Sequence, residues 1–227
     1  MADIGIEWVK QYHGRANNLS NTQAQAEGLY NTLSGVRRFN WGDDLAWDQD
    51  FEETGVGSPA TGTDTSWIDT VNIAFFSGHG SAGGFMFGIA SKDDGTAKPS
   101  ELKLGNGKLD WIALDACQVL EYDNGNVFNR IGWPVFKGLH YILGFDTVAR
   151  DESKRGRYLA ENLNSGDRVR DAWRKACQET EDAGARYAYL RADQSGTNTF
   201  DDHWFGKGFV SADPTAPTTL YYLRASC

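Results

Sequence analysis

The chain has 227 residues and a formal net charge of −9 at pH 7. That length suits one large domain. The acidity argues against a nucleic-acid partner, which calls for a basic patch or stripe. No stretch approaches the ~20 apolar residues needed to cross a bilayer. The opening MADIGIEWVKQYHG lacks the basic region and apolar run of a signal peptide. The expectation is a soluble, cytoplasmic protein with no membrane partner.

IGIEWVKQYH (4–13) alternates apolar and polar residues, as a strand does. Ser20 or Asn21 then caps a helix that runs to about Leu33 and is stopped by Gly35. Residues 37–51 are rich in Trp and Asp and take no clear assignment. Residues 55–66 form a loop by composition. Three short apolar runs follow: VNIAFF (71–76), WIALDA (111–116) and HYILGF (140–145). Each is apolar on both faces, which suits buried parallel strands. GGFMFGIA (83–90) is a further strand or a hairpin arm. Helices are expected over 155–163 and 167–180, the second opened by NSGD. Late strands follow at 187–191 and 219–223. Strands mixed with helices imply an α/β sandwich.

Function in open parallel sheets gathers at the carboxyl ends of strands. One expected strand here ends in FFSGHG (75–80) and another in LDAC (114–117). Adjacent parallel strands would bring His79 and Cys117 together, the pairing expected of a cysteine nucleophile and its base. Gly78 and Gly80 allow a sharp turn beside the histidine. The backbone N–H groups of Gly80 and Cys117 could form an oxyanion hole. Cys177 and Cys227 show no disulfide spacing with Cys117. Neither a metal nor a cofactor is expected, because His13, His79, His140 and His203 are scattered and no CxxC or HExxH occurs.

The pair FFSGHG and LDAC, within residues 66–150, resembles the caspase-like cysteine peptidases: caspases, metacaspases, legumains, gingipains and clostripain. The nearest pattern is that of metacaspases. The whole chain also resembles an uncharacterised family of small caspase-like domains. The resemblance implies a single domain (1–227): a three-layer α/β sandwich with a mostly parallel central sheet flanked by helices. Residues 1–65 would pack on a catalytic core of 66–227. It implies a cysteine endopeptidase with His79 as general acid/base and Cys117 as nucleophile. It also places Asp115 in the S1 pocket, with Asp146 in GFDTVARD (144–151) as a second S1 candidate. A buried carboxylate there favours Arg or Lys at P1, so the expected partner is a basic peptide or protein.

Gln118-Val119-Leu120 departs from the family, which carries a small residue and a glycine soon after the cysteine. That departure keeps a second reading open: a non-catalytic caspase-like module that binds a protein partner. A peptide ligase or cyclase would use the same acyl-enzyme. Other features take blander assignments. Cys177 is core, Cys227 frayed, and His13 and His140 are core or edge residues of strands. AWDQDFEE (46–53), with a cation-binding rim as its alternative, is read as a solvated acidic loop. His203 in DDHWFGKG (201–208) is not expected to bind metal, since strand neighbours face opposite ways.

Overall fold

The computed structural model describes residues 1–57 and 61–227. In chain order the strands are β1 (Asp3–Trp8), β2 (Val36–Gly42), β3 (Ile73–Ser77), β4 (Gly80–Ser81) and β5 (Gly84–Met86). They continue with β6 (Thr96–Ala97), β7 (Trp111–Asp115), β8 (Tyr141–Phe145), β9 (Arg186–Asp193) and β10 (Thr219–Ser226). Seven of them form one sheet in the order β10-β9-β8-β7-β3-β1-β2. The five from β2 to β8 run parallel, while β9 and β10 pair antiparallel at one edge. The architecture is therefore mixed α/β with a mostly parallel sheet. Every residue of β3, β7 and β8 is buried, which is why these segments are apolar without alternation.

Three α-helices, α1 (Thr22–Thr32), α2 (Arg155–Asn164) and α3 (Val169–Thr180), cover one face of the sheet. Leu29, Leu159, Leu163, Ala172 and Trp173 pack there against Ile4, Phe75, Ala113 and Leu143. The other face carries no α-helix among the described residues. Phe51, Phe85 and Phe87, from loops and the small β4-β5-β6 sheet, cover Phe76 and Ile112 instead. The expected flanking by helices thus holds on one side only. The long segments on the second side, rich in Gly and Asp, form only 3-10 turns and one π-helical turn, Phe128–Gly132.

The first 65 residues supply β1 and β2 to the same sheet. β2 lies in the stretch that sequence left unassigned, as an edge strand whose outer residues are polar. The first strand stops at Trp8, not at residue 13. His13 lies beyond it in a turn with φ +50°, its ring bonded to Asp44, so it is neither core nor strand. Neither Ser20 nor Asn21 caps α1 through its side chain. The Asp151 carboxylate accepts their N–H groups instead, at 2.6 and 3.0 Å. GGFMFGIA supplies β5, the hairpin arm. Within the expected loop 55–66, residues 58–60 lie outside the described set, and Asp64–Ser66 form a 3-10 turn. No helix among the described residues is long and apolar enough to cross a membrane.

Candidate active site

Ser77 pairs with Asp115 across β3 and β7. His79 and Cys117 therefore lie the same two residues beyond paired positions, on strands ~4.8 Å apart. Both line one cleft of about 210 Å³, with Leu19, Thr22 and Gln25 of the N-terminal segment and Val148 to Asp151 of the loop after β8.

Two contacts from the N-terminal segment hold His79. Its backbone N–H donates to the Tyr12 hydroxyl at 2.7 Å, and the two rings lie 4.6 Å apart. Its Nε2 lies 2.7 Å from the Asn17 carbonyl oxygen. A carbonyl only accepts, so Nε2 carries a proton, and in the neutral ring Nδ1 keeps the lone pair. That is the tautomer a base needs.

Cys117 is half-buried and is not bonded to the imidazole. Its Sγ accepts the Ala149 N–H at 3.4 Å and lies 3.6 Å from the Ala149 carbonyl. Burial raises its pKa, with Asp115 and Glu181 adding to the effect. The resting thiol is therefore protonated, and any attack must transfer its proton as the bond forms. Among the described residues no acceptor takes the Cys117 N–H, so that donor is open. At Gly80 an added Cβ would lie 2.7 Å from Ala116 Cβ and 2.9 Å from the Cys117 carbonyl. Glycine lets the histidine loop close against the cysteine loop. Gly80 itself borders an adjoining groove with His79 and Asn17 rather than the cleft.

Asp115 lines the cleft, but Arg155 of α2 takes one of its oxygens. The same guanidinium bonds Glu181 and Thr180 Oγ1. The other Asp115 oxygen is buried without a partner among the described residues. Burial lifts the carboxyl to about 6, against the pull of Arg155.

Asp146, the second S1 candidate, does not line the cleft. Tyr122 N–H, Tyr222 hydroxyl, Arg186 and Arg224 all donate to its carboxylate. It fastens β9 and β10 to the loop after β7. The Gln118-Val119-Leu120 departure also has a local explanation. Gln118 adopts φ +56° itself, a conformation that favours glycine. Val119 and Leu120 turn into the core.

The sequence matches, over residues 6–226, a family described as a domain of unknown function, DUF6345. The chain belongs to the DUF6345 family. A search of curated proteins finds no match. For this DUF6345 domain, then, chemistry has to be argued from the side chains.

Several polar groups lie elsewhere than expected. AWDQDFEE is not solvated: Asp48, Asp50 and Glu52 are 0–1% exposed. The segment folds over the second face of the sheet and turns its acids inward. There Asp48 accepts the Gly95 and Thr96 N–H groups. Burial lifts Asp50 to about 6 and Glu52 to about 9. Oxygens of Asp48, Asp93 and Asp94 lie within 4.8 Å of one another and could ligate a hard cation. His140 is fully buried, as expected, but in an ionic network rather than an apolar strand. Its Nδ1 lies 2.6 Å from Asp202 and its Nε2 3.3 Å from Asp213. Burial opposes protonation, yet these carboxylates raise its pKa to about 9. A ring nitrogen of His140 and oxygens of Asp110 and Asp213 lie within 4.8 Å of one another, so a cation could take the place of the proton. His203 bonds the Gly166 carbonyl at 3.0 Å. Cys177 is core as expected. Cys227 is not frayed: its N–H donates to the Ala185 carbonyl at 3.0 Å, and its side chain packs at the edge of the core.

Tyr12, Asn17, Ala149, Arg155 and Glu181 were not legible as site residues. Three act through backbone or a hydroxyl, which sequence does not mark. Arg155 and Glu181 look like solvated helix-end charges until tertiary packing buries them.

Proposed function

We propose that this DUF6345 domain is a caspase-like cysteine endopeptidase that prefers Arg or Lys at P1. One observation carries the reading: His79 and Cys117 stand at register-matched ends of adjacent parallel strands, in one cleft. The three-layer caspase-like architecture belongs to the same proposal, with the loop-built cover of the second face as third layer. A cytoplasmic location is likewise proposed.

In this mechanism His79 Nδ1 takes the Cys117 proton as Sγ adds to the peptide carbonyl carbon. The open N–H of Cys117 stabilises the oxyanion, joined by that of Gly80 where the substrate carbonyl reaches from the cleft toward the adjoining groove, a contribution of about 3–4 kcal/mol per donor in well-studied proteases. Collapse expels the amine, protonated by His79, and leaves a thioester on Cys117. His79 then deprotonates a water that adds to the thioester, and the carboxylic acid departs as the thiol re-forms. An incoming amine in place of water would make the domain a ligase or cyclase.

One observation favours a second reading, a non-catalytic binding module. The thiol is half-buried against Ala149 and its ionisation is disfavoured. Labelling with an acyloxymethyl ketone probe carrying Arg at P1, mapped by mass spectrometry, separates the two. The peptidase reading expects an adduct on Cys117 that is lost in His79→Ala. No adduct with any P1 residue on the folded chain would favour the binding module.

A further inference from the structure

A second pocket opens on the sheet face that the helices leave uncovered. It has a volume of about 230 Å³ and is lined by Trp41, Leu45, Trp47, Asp50 and Trp67. Trp41 is the penultimate residue of β2, Trp47 follows the turn after it, and Trp67 precedes β3. Three indoles from separate segments thus converge on one cavity. Trp41 and Trp67 meet edge to face, with ring centroids 5.5 Å apart at 86°. Phe39 backs Trp67 at 6.0 Å, again edge to face. Trp47 is fixed by its Nε1–H, which donates to the Asp44 carbonyl at 2.9 Å. All three rings are only partly buried, so their faces are not used up by the core.

Among the described residues, Asp50 is the one charged group that lines the pocket. Behind it lies Glu7, fully buried, with neither carboxylate oxygen reached by a hydrogen-bond donor among the described residues. Glu7 is the register partner of Trp41 in the sheet. Burial and the neighbouring Asp50 hold Glu7 well above the usual carboxylate range, and burial lifts Asp50 to about 6. An anion beneath aromatic walls attracts a cation, and the apolar walls select one that sheds water easily. Methylated ammonium groups meet both conditions, whereas a bare ammonium keeps its hydration. The ring faces already attract positive charge within the chain: Lys92 Nζ lies 4.4 Å from the Trp47 ring centroid.

We propose that Trp41, Trp47 and Trp67, with Asp50 at their base, form an aromatic cage for a methylated ammonium group. The cage is independent of the His79–Cys117 cleft, with which it shares no lining residue. The same chemistry is offered by a free quaternary amine and by a methylated lysine in a peptide.

The test is a titration of the wild-type chain, followed by tryptophan fluorescence and calorimetry. The ligands are choline and a short peptide bearing trimethyl-lysine. The controls are the neutral carbon isostere of choline and the same peptide with unmodified lysine. Each methylated ammonium should bind at least about tenfold tighter than its control. A peptide about tenfold tighter than choline would identify a protein source, and equal affinities a small-molecule source. Trp47→Ala and Asp50→Asn, checked for folding by circular dichroism, should each weaken binding by about tenfold. The wild-type comparison stands even if a variant fails to fold. Isostere and choline binding equally, or no saturable binding, would overturn the cage.

Discussion

Arg155 bonds both Asp115 and Glu181, yet the second Asp115 oxygen meets no donor in the cleft wall. One buried cation faces two buried carboxylates, so the cleft floor retains negative character. Asp115→Asn should cut the ratio of kcat/KM for Arg-P1 over norleucine-P1 peptides by about tenfold, the size of one desolvated ionic contact. An unchanged ratio would remove Asp115 from P1 recognition.

Removing the cation has a different consequence. Arg155→Met leaves Asp115 and Glu181 buried without their partner, at a cost of about 3–5 kcal/mol. Urea unfolding followed by far-UV circular dichroism should show that loss. A change below about 1 kcal/mol would mean that water reaches the pair.

Asp146 should behave as a fastener. Its four donors come from Tyr122, Tyr222, Arg186 and Arg224. Asp146→Asn should lower the melting temperature while leaving P1 selectivity as in wild type. A selectivity change without a stability change would return it to the cleft.

The thiols should titrate in a distinct order. Burial raises Cys117, whereas contact with Cys177 lowers Cys227. Iodoacetamide rates, mapped per cysteine, should therefore rise at lower pH for Cys227 than for Cys117. The Cys117 midpoint should exceed the ~8.5 of a free thiol. A Cys117 midpoint well below that would reveal a preformed thiolate–imidazolium pair.

Stability should fall as pH rises across the neutral range. Burial raises Asp50, Asp69, Asp110 and Asp115 to about 6 and Asp64 to about 7. Between roughly pH 4 and 7 the folded chain thus binds protons that the unfolded chain releases, and stability drops as pH climbs through that window. His140, raised to about 9, has the same sign: its contribution is complete below about 6.5 and lost as pH rises through 9. Asp3 and Asp146 oppose only in stronger acid. Despite burial, their cationic partners hold both below the usual range. Melting temperatures at constant ionic strength should peak near pH 4, and a peak at pH 7–8 would contradict the buried-acid picture.

The parts of this fold that could be read in advance are those set by local pattern. β3, β7 and β8 announce themselves as apolar runs, and α2 and α3 by spacing. β2 was hidden because an edge strand needs no buried outer face, and VRRFNWG shows none. The inward acids of 48–52 were hidden for the opposite reason. Charge next to aromatics looks solvated until a tertiary surface closes over it. His79 and Cys117 were visible because strand ends concentrate chemistry. Asp146 was misplaced because sequence cannot say which side of a strand end its carboxylate faces.

Tyr12 and Asn17 grip His79 from the first strand's continuation, Leu19 to Gln25 wall the cleft, and Asp151 ties its far rim to the start of α1. A truncation beginning at residue 66 would keep the histidine and the cysteine and discard the two groups that orient the histidine. The two motifs by which such a site is recognised are therefore a small part of the device. Grafting them onto another sheet would transplant the reagents without the jig that aligns them.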